Sequence, residues 1–149
     1  MPTIGKELLR NCLYYFRYNL LMHDTEKPLI WIGSSYKDLL ALPNEVKRGF
    51  GYALSLAQSG LRHSSTKILQ GFGGSSVVEI IETDEGGTYR AMYTVKYAQA
   101  VFVLHCFQKK SKKGIATPKE DMDVIRGRLK MAEKIAKELE DEEKRNGRY

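Results

Sequence analysis

Seven cationic side chains occupy a stretch of the sequence that contains no acidic residue. No aspartate or glutamate lies between Glu85 and Glu120, although the protein as a whole has 18 acidic residues and a formal net charge of +6. Without these cations the rest of the chain would be close to neutral, so the basic character is local. A positively charged face with a polyanionic partner is expected. The cations are Arg90, Lys96, Lys109, Lys110, Lys112, Lys113 and Lys119.

Arg90 differs from the other cations because it lies inside an apolar, strand-like run, residues 89–95. In a strand it would share one face with Met92, while its direct neighbours point the other way into a core. Its guanidinium could hold two phosphate oxygens at once. A salt bridge to Glu79 or Glu82 on an adjacent strand would explain the same residue, and the sequence leaves both interpretations open.

Two histidines are candidates for proton transfer, because imidazole titrates near neutral pH. His63 lies in a polar loop upstream of Lys67, and His105 lies inside a predicted strand, on the same side as Val103 and Phe107. The alternative for His63 is a plain surface histidine, and the alternative for His105 is a hydrogen-bonded core histidine. The three histidines have no metal-ligand spacing, so no metal or other cofactor is expected.

Length and composition indicate one domain with an ordinary core. The chain has 149 residues, of which 42% are hydrophobic and 28% are charged. Cys12 and Cys106 lie far apart and form no C-x-x-C pair, which favours a reduced, cytoplasmic protein. No signal peptide and no uncharged apolar run long enough for a membrane span is found, so no membrane partner is expected.

The domain is predicted to span residues 27–140, between an N-terminal extension of residues 1–26 and a charged tail of residues 141–149. The extension has an amphipathic helical spacing in Leu9, Leu13, Phe16 and Leu20. In the domain, residues 29–32 form a short apolar run that suits a buried strand. A brief helix and a longer one starting near Asn44 follow and are predicted to form a helical hairpin.

Beyond Gly60 the pattern changes to that of strands. Residues 77–82 and 89–95 flank a glycine-containing turn and predict a β-hairpin, and residues 101–107 predict a further strand. Residues 117–120, Thr-Pro-Lys-Glu, have the form of a capping box ahead of a long amphipathic helix. The predicted fold is α+β: an antiparallel sheet of about four strands, an N-terminal helical hairpin and a long C-terminal helix.

Four segments in this order closely resemble the phage-derived, HigB-like branch of the RelE/ParE toxin superfamily, over residues 27–135. They are KPLIWIGSS at residues 27–35 with KDL at 37–39, KILQGFGG at 67–74, YRAMYTV at 89–95 and VLHCFQKKSKKGIATP at 103–118. The resemblance implies a RelE-like fold and the toxin of a type II toxin–antitoxin pair, usually a metal-free endoribonuclease that cuts messenger RNA on the ribosome. The extension and the tail lie outside it.

The resemblance also implies roles for individual residues. Arg90 aligns with the strand arginine that contacts the scissile phosphate, and Lys109 and Lys110 with the basic residue after the last strand. Lys67 aligns with a lysine that could be a base or a phosphate clamp. His63 and His105 remain candidate proton carriers, because residues 112–120, shortly after the last strand, contain no tyrosine and the general base is open. The expected RNA contacts are Lys96, Lys112, Lys113 and Phe107.

In this interpretation the partners are messenger RNA, the ribosome and a cognate antitoxin with a helix-turn-helix domain, as HigA-like antitoxins have. Two other functions are compatible with the sequence. One is a gyrase-inhibiting toxin of the ParE type, in which Arg90 and the lysines would be dispensable. The other is a non-catalytic module that binds nucleic acid or protein, in which the whole basic patch would set a salt-dependent affinity.

Overall fold

The computed structural model describes residues 26–74, 76–109 and 117–147. The predicted helix in the N-terminal extension therefore lies outside the described residues, as do Lys110, Lys112 and Lys113.

A five-stranded mixed sheet forms the centre of the molecule, with the strand order β1-β5-β4-β3-β2. β1 pairs with β5 in parallel, and all other neighbours are antiparallel. The strands are β1 (Leu29–Trp31), β2 (Thr66–Ile68), β3 (Val78–Asp84), β4 (Gly87–Thr94) and β5 (Val101–Gln108).

The prediction of about four antiparallel strands is wrong in two respects. The additional strand, β2, has only three residues, too few to show an alternating pattern. The direction of β1 was also missed, since β1 pairs with a strand about 70 residues later in the chain, a relation that local periodicity does not encode. The α+β class, the β3–β4 hairpin and the C-terminal helix are confirmed.

In the described part of the chain, three helices cover the two faces of the sheet. On one face, α1 (Ser35–Leu40) packs mainly on β5 and α2 (Asn44–Gln58) on β3, so both helices exist but a hairpin of the two is not clearly present. On the other face lies α3 (Lys119–Arg145), which continues into the segment predicted to be a charged tail. No helix in the described part of the chain is both long and apolar enough to cross a membrane.

The sheet is buried on both faces, so the protein has two hydrophobic cores. The core under α1 and α2 includes Phe50, Leu54, Ile80, Tyr93 and Val103. The core under α3 is formed from β1, β4, β5 and the apolar stripe of α3, and its largest buried members are Ile32, Met92, Phe102, Leu104 and Ile125. A polar group of the sheet that lies within either core is consequently removed from water.

A β-bulge in β5 sets the direction of His105. Tyr93 pairs with Val103 and Met92 pairs with His105, which leaves Leu104 as the extra residue of β5. Leu104 packs in the core under α3 and His105 also contacts α3, whereas Val103 lies in the opposite core. The predicted common side for His105 and Val103 is therefore wrong.

Cys106 is buried on the face opposite His105. Burial raises the pKa of its thiol to about 12, because the thiolate would lose its hydration. Since the thiolate is the reactive form, Cys106 is expected to be chemically inert in the folded protein.

This gives a simple test of the fold. In a Cys12→Ala variant, Cys106 should not react with an aromatic disulfide reagent at pH 8 until urea unfolds the chain, when one thiol per molecule should be released. Rapid reaction of the native variant, measured by absorbance, would contradict the burial of β5.

Candidate active site

Polar side chains from three adjacent strands lie together on the α3 face of the sheet. Glu79 of β3 is opposite Met92 of β4, which in turn is opposite His105 of β5. Arg90 of β4 is opposite Phe107 of β5. Glu79 and His105 are therefore two interstrand spacings apart, a backbone separation of about 10 Å. Together with Thr117 and Asp121, which cover them, these residues form what we call the sheet cluster: Glu79, Arg90, His105, Phe107, Thr117 and Asp121.

Arg90 forms a buried ion pair with Glu79. Its Nη1 lies 3.2 Å from Glu79 Oε2, and the residues are only 2% and 5% exposed. This is the salt bridge that the sequence offered as the alternative to a phosphate contact. Arg90 Nε has no hydrogen-bond partner within the described part of the chain. The pair must offset the loss of hydration of two charges, so removing either partner leaves a costly buried charge.

Thr117 completes a triangle with this pair. The Oγ1 of Thr117 lies 3.2 Å from Arg90 Nη1 and 3.4 Å from Glu79 Oε2. The predicted capping box is therefore not formed: α3 begins at Lys119, Pro118 occupies the cap position, and no side-chain hydrogen bond caps the helix. The hydroxyl contacts the ion pair of the sheet instead of a helical N–H group.

His105 has a partner at each ring nitrogen. Nε2 lies 2.8 Å from Asp121 Oδ1, and Nδ1 lies 3.4 Å from Arg128 Nη1. Because a guanidinium can only donate, Nδ1 serves as the acceptor and the neutral ring carries its proton on Nε2, directed at Asp121. The ring also stacks on Phe107, with the centroids 4.6 Å apart and the planes inclined by 19°.

Arg128 ties this histidine to the turn between β1 and α1. It donates to the carbonyl oxygen of Leu104 at 2.8 Å and to Ser34 Oγ at 2.9 Å. Gly33 has φ +59°, and a Cβ there would lie 2.8 Å from Arg128 Nε. A side chain at position 33 would thus be strained and would displace the guanidinium.

The lysines named from the sequence lie at different distances from the sheet cluster. Lys67 lies in β2 directly opposite Glu79, exposed, on the α3 face. Lys109 follows β5, and its N–H donates to the carbonyl oxygen of Thr88. Lys96 follows β4 and lies 5.8 Å from the ring centroid of Tyr97, beyond the end of β4 that is remote from the β3–β4 turn. Lys67 and Lys109 flank the sheet cluster, whereas Lys96 is not brought to it.

His63 lies outside the sheet cluster. Its Nδ1 accepts from the backbone N–H of Ser65 at 3.0 Å, and its ring edge packs against Tyr52 of α2. The residue therefore sits on the side of the α1–α2 face, and the structure gives it a local role in the loop before β2.

Four polar residues of this region were not named as site residues from the sequence. Glu79 appeared only as an alternative partner for Arg90, and Thr117 only as a helix cap, whereas Asp121 and Arg128 look like ordinary surface charges of an amphipathic helix. The sequence places Asp121 in the first turn of the predicted helix, two residues after its start. Its partner His105, however, is 16 residues away in the chain. Only the packing of α3 across the sheet joins them.

A comparison with family models shows which family this chain belongs to. Residues 37–130 match the model described as phage derived protein Gp49-like (DUF891). The matched part extends from α1 into α3 and includes every residue of the sheet cluster. The chain therefore belongs to the Gp49-like family, a family of RelE-like and toxin-like proteins, which is consistent with a toxin-like role in general. A search of curated proteins found no match.

The buried ion pair leads to a stability prediction. Arg90→Met should lower the free energy of unfolding by about 3–5 kcal/mol, because Glu79 would be left buried without its counter-charge. The double variant Arg90→Met, Glu79→Leu should recover most of that loss, since no charge is then stranded. Urea denaturation of the two single variants and the double variant measures the coupling, and additive losses would contradict a coupled pair.

Proposed function

We propose that the protein is the toxin of a type II toxin–antitoxin pair and that it cuts messenger RNA on the ribosome by a metal-free reaction. Membership of the Gp49-like family supports the toxin-like part. The observation that carries the nuclease part is the alignment of a carboxylate, a guanidinium and an imidazole on three adjacent strands, on one face of the sheet.

These groups fit the chemistry of RNA transesterification. The Glu79 carboxylate takes the proton of a ribose 2′-hydroxyl as the hydroxyl oxygen attacks the adjacent phosphorus. Arg90 stabilises the charge that develops on the phosphoryl oxygens. For the acid step the His105 ring must also carry a proton on Nδ1, so Arg128 has to release that nitrogen. His105 then donates its Nε2 proton to the 5′-oxygen as the P–O5′ bond breaks. The products are a 2′,3′-cyclic phosphate and a 5′-hydroxyl.

RNA must replace existing contacts to reach these groups. Arg90, Glu79 and His105 are all less than one-tenth exposed, and Thr117 and Asp121 cover them. The first fully buried residue of α3 is Ile125, so the turns before it are held over the sheet largely by polar contacts. A phosphate can take the place of Glu79 and Thr117 on Arg90, and a nucleotide oxygen can take the place of Asp121 on His105.

The remaining roles follow from the resemblance and from charge. Lys67 and Lys109 flank the sheet cluster and would contact neighbouring phosphates, with Lys110, Lys112 and Lys113 adding ribosomal or messenger RNA contacts. The proposed inhibitor is a small helix-turn-helix antitoxin that covers or distorts this surface. A cytoplasmic location is part of the same proposal.

One observation favours a second candidate, a toxin of the ParE type that blocks gyrase without cutting RNA. Arg90 is already neutralised by Glu79, and both nitrogens of His105 are occupied. If these contacts serve only to hold α3 on the sheet, the sheet cluster is structural and the toxic surface lies elsewhere.

Expression in bacteria separates the two candidates. We expect the wild-type chain to stop growth and to create new messenger RNA 5′ ends inside translated frames. Glu79→Gln and His105→Gln should each reduce cutting by about 10²-fold or more, because each removes a proton-transfer group. The exposed Glu45→Gln and the remote His63→Gln serve as matched controls and should cut like wild type.

The folded state of each purified variant is checked by thermal unfolding. Growth arrest by wild type with intact messages and stalled DNA synthesis would overturn the nuclease proposal in favour of gyrase. Unchanged cutting by folded Glu79→Gln and His105→Gln would exclude the roles given to these residues.

A further inference from the structure

A glycine-rich loop next to the sheet cluster carries an aromatic side chain that the proposed chemistry does not use. The loop joins β2 to β3 and is closed by a hydrogen bond from the N–H of Leu69 to the carbonyl oxygen of Val77. Gly71, with φ +97°, lies beside α3: a Cβ there would be 3.5 Å from Met122 Cε, an ordinary van der Waals distance. The loop therefore lies alongside the first turns of α3.

Phe72 and Arg126 form a cation–π pair at this contact. The guanidinium carbon of Arg126 lies 5.5 Å from the centroid of the Phe72 ring, and the other contacts of Phe72 are with the core under α3. The Arg126 side chain is 51% exposed, so its guanidinium can be reached from solvent. An exposed guanidinium plane held on an aromatic ring is a surface on which a nucleobase stacks well.

The Phe72–Arg126 pair lies near the sheet cluster. Met122, which contacts the loop, is the neighbour of Asp121, which contacts His105. The loop ends where β3 begins, one residue before Glu79. Phe72 thus lies beside the early turns of α3 on the β2 side, whereas His105 and Phe107 lie on the β5 side.

We propose that Phe72 and Arg126 form a binding site for one base of single-stranded RNA, next to the nucleotides that the sheet cluster would act on. This proposal rests on the proposed function for its substrate class. The exposed Lys67, on the same face of the sheet, adds positive charge for the RNA backbone. Asp123 pairs with Arg126 at 3.2 Å, but a pair this exposed contributes little, so a stacked base can displace it.

The site is tested by binding, without any need for cleavage. The probe is an eight-nucleotide, fluorescently labelled 2′-O-methyl RNA, which cannot undergo attack by a 2′-hydroxyl, and the readout is fluorescence anisotropy of the full-length protein. Phe72→Leu and Arg126→Ala should each raise the Kd by about 5- to 100-fold, the range expected for loss of one stacked base. Lys130→Ala removes an exposed cation one turn further along α3 and should change Kd by less than about 3-fold.

A second readout concerns sequence preference. If wild type cuts messenger RNA, the base frequencies around its cut sites should flatten in Phe72→Leu and Arg126→Ala and stay unchanged in Lys130→Ala. Equal Kd values for all four folded proteins, or no binding by wild type, would overturn this site whether or not the protein is a nuclease. Specific weakening by both variants without any cutting would instead support the site and refute the nuclease.

Discussion

The buried ion pair between Arg90 and Glu79 is the interaction on which the arrangement of the α3 face depends. Both charges lie on a sheet that is covered on both faces, so neither can recover its hydration from solvent. Thr117 adds its hydroxyl to the pair and so fixes the chain where it enters α3. Asp121 and Arg128 then hold His105 from the same helix. The position of α3 and the state of these polar groups are therefore determined together.

This coupling has a consequence for the proposed chemistry. The residues that would bind a phosphate and move protons are the same residues that hold the early turns of α3 over the sheet. Their contacts within the protein resemble those that RNA would make, with a carboxylate in the place of a phosphate on Arg90 and a carboxylate oxygen in the place of a nucleotide oxygen on His105. In the proposed reaction these polar contacts would exchange, while the buried residues of α3 from Ile125 onward would keep the helix on the core.

Local sequence patterns were sufficient to predict most helices and strands, but not how all the strands pair. The glycine turn and alternation gave the β3–β4 hairpin, and the apolar stripe gave α3. The three-residue β2, the parallel pairing of β1 and the bulge at Leu104 depend on contacts between distant segments and were not predictable. For the same reason Arg90, His105 and Phe107 could be named as candidates from residue type and resemblance, and Glu79 only as one of two alternative partners of Arg90. Asp121 and Arg128 became visible only when the strands and α3 were placed together.

The chemistry at the cut is the most direct measure of the central claim, that a ribose hydroxyl attacks its own phosphate with protein side chains as the only catalysts. The purified protein is first treated with chelator and desalted, then incubated in Mg²⁺ buffer with ribosomes programmed with a short messenger RNA, and the fragment ends are identified by mass spectrometry. The account predicts a 2′,3′-cyclic phosphate and a 5′-hydroxyl, and no cut when the nucleotide 5′ to the scissile bond carries 2′-deoxyribose. Cleavage of the deoxy-substituted message, or fragments with 5′-phosphate ends, would contradict it.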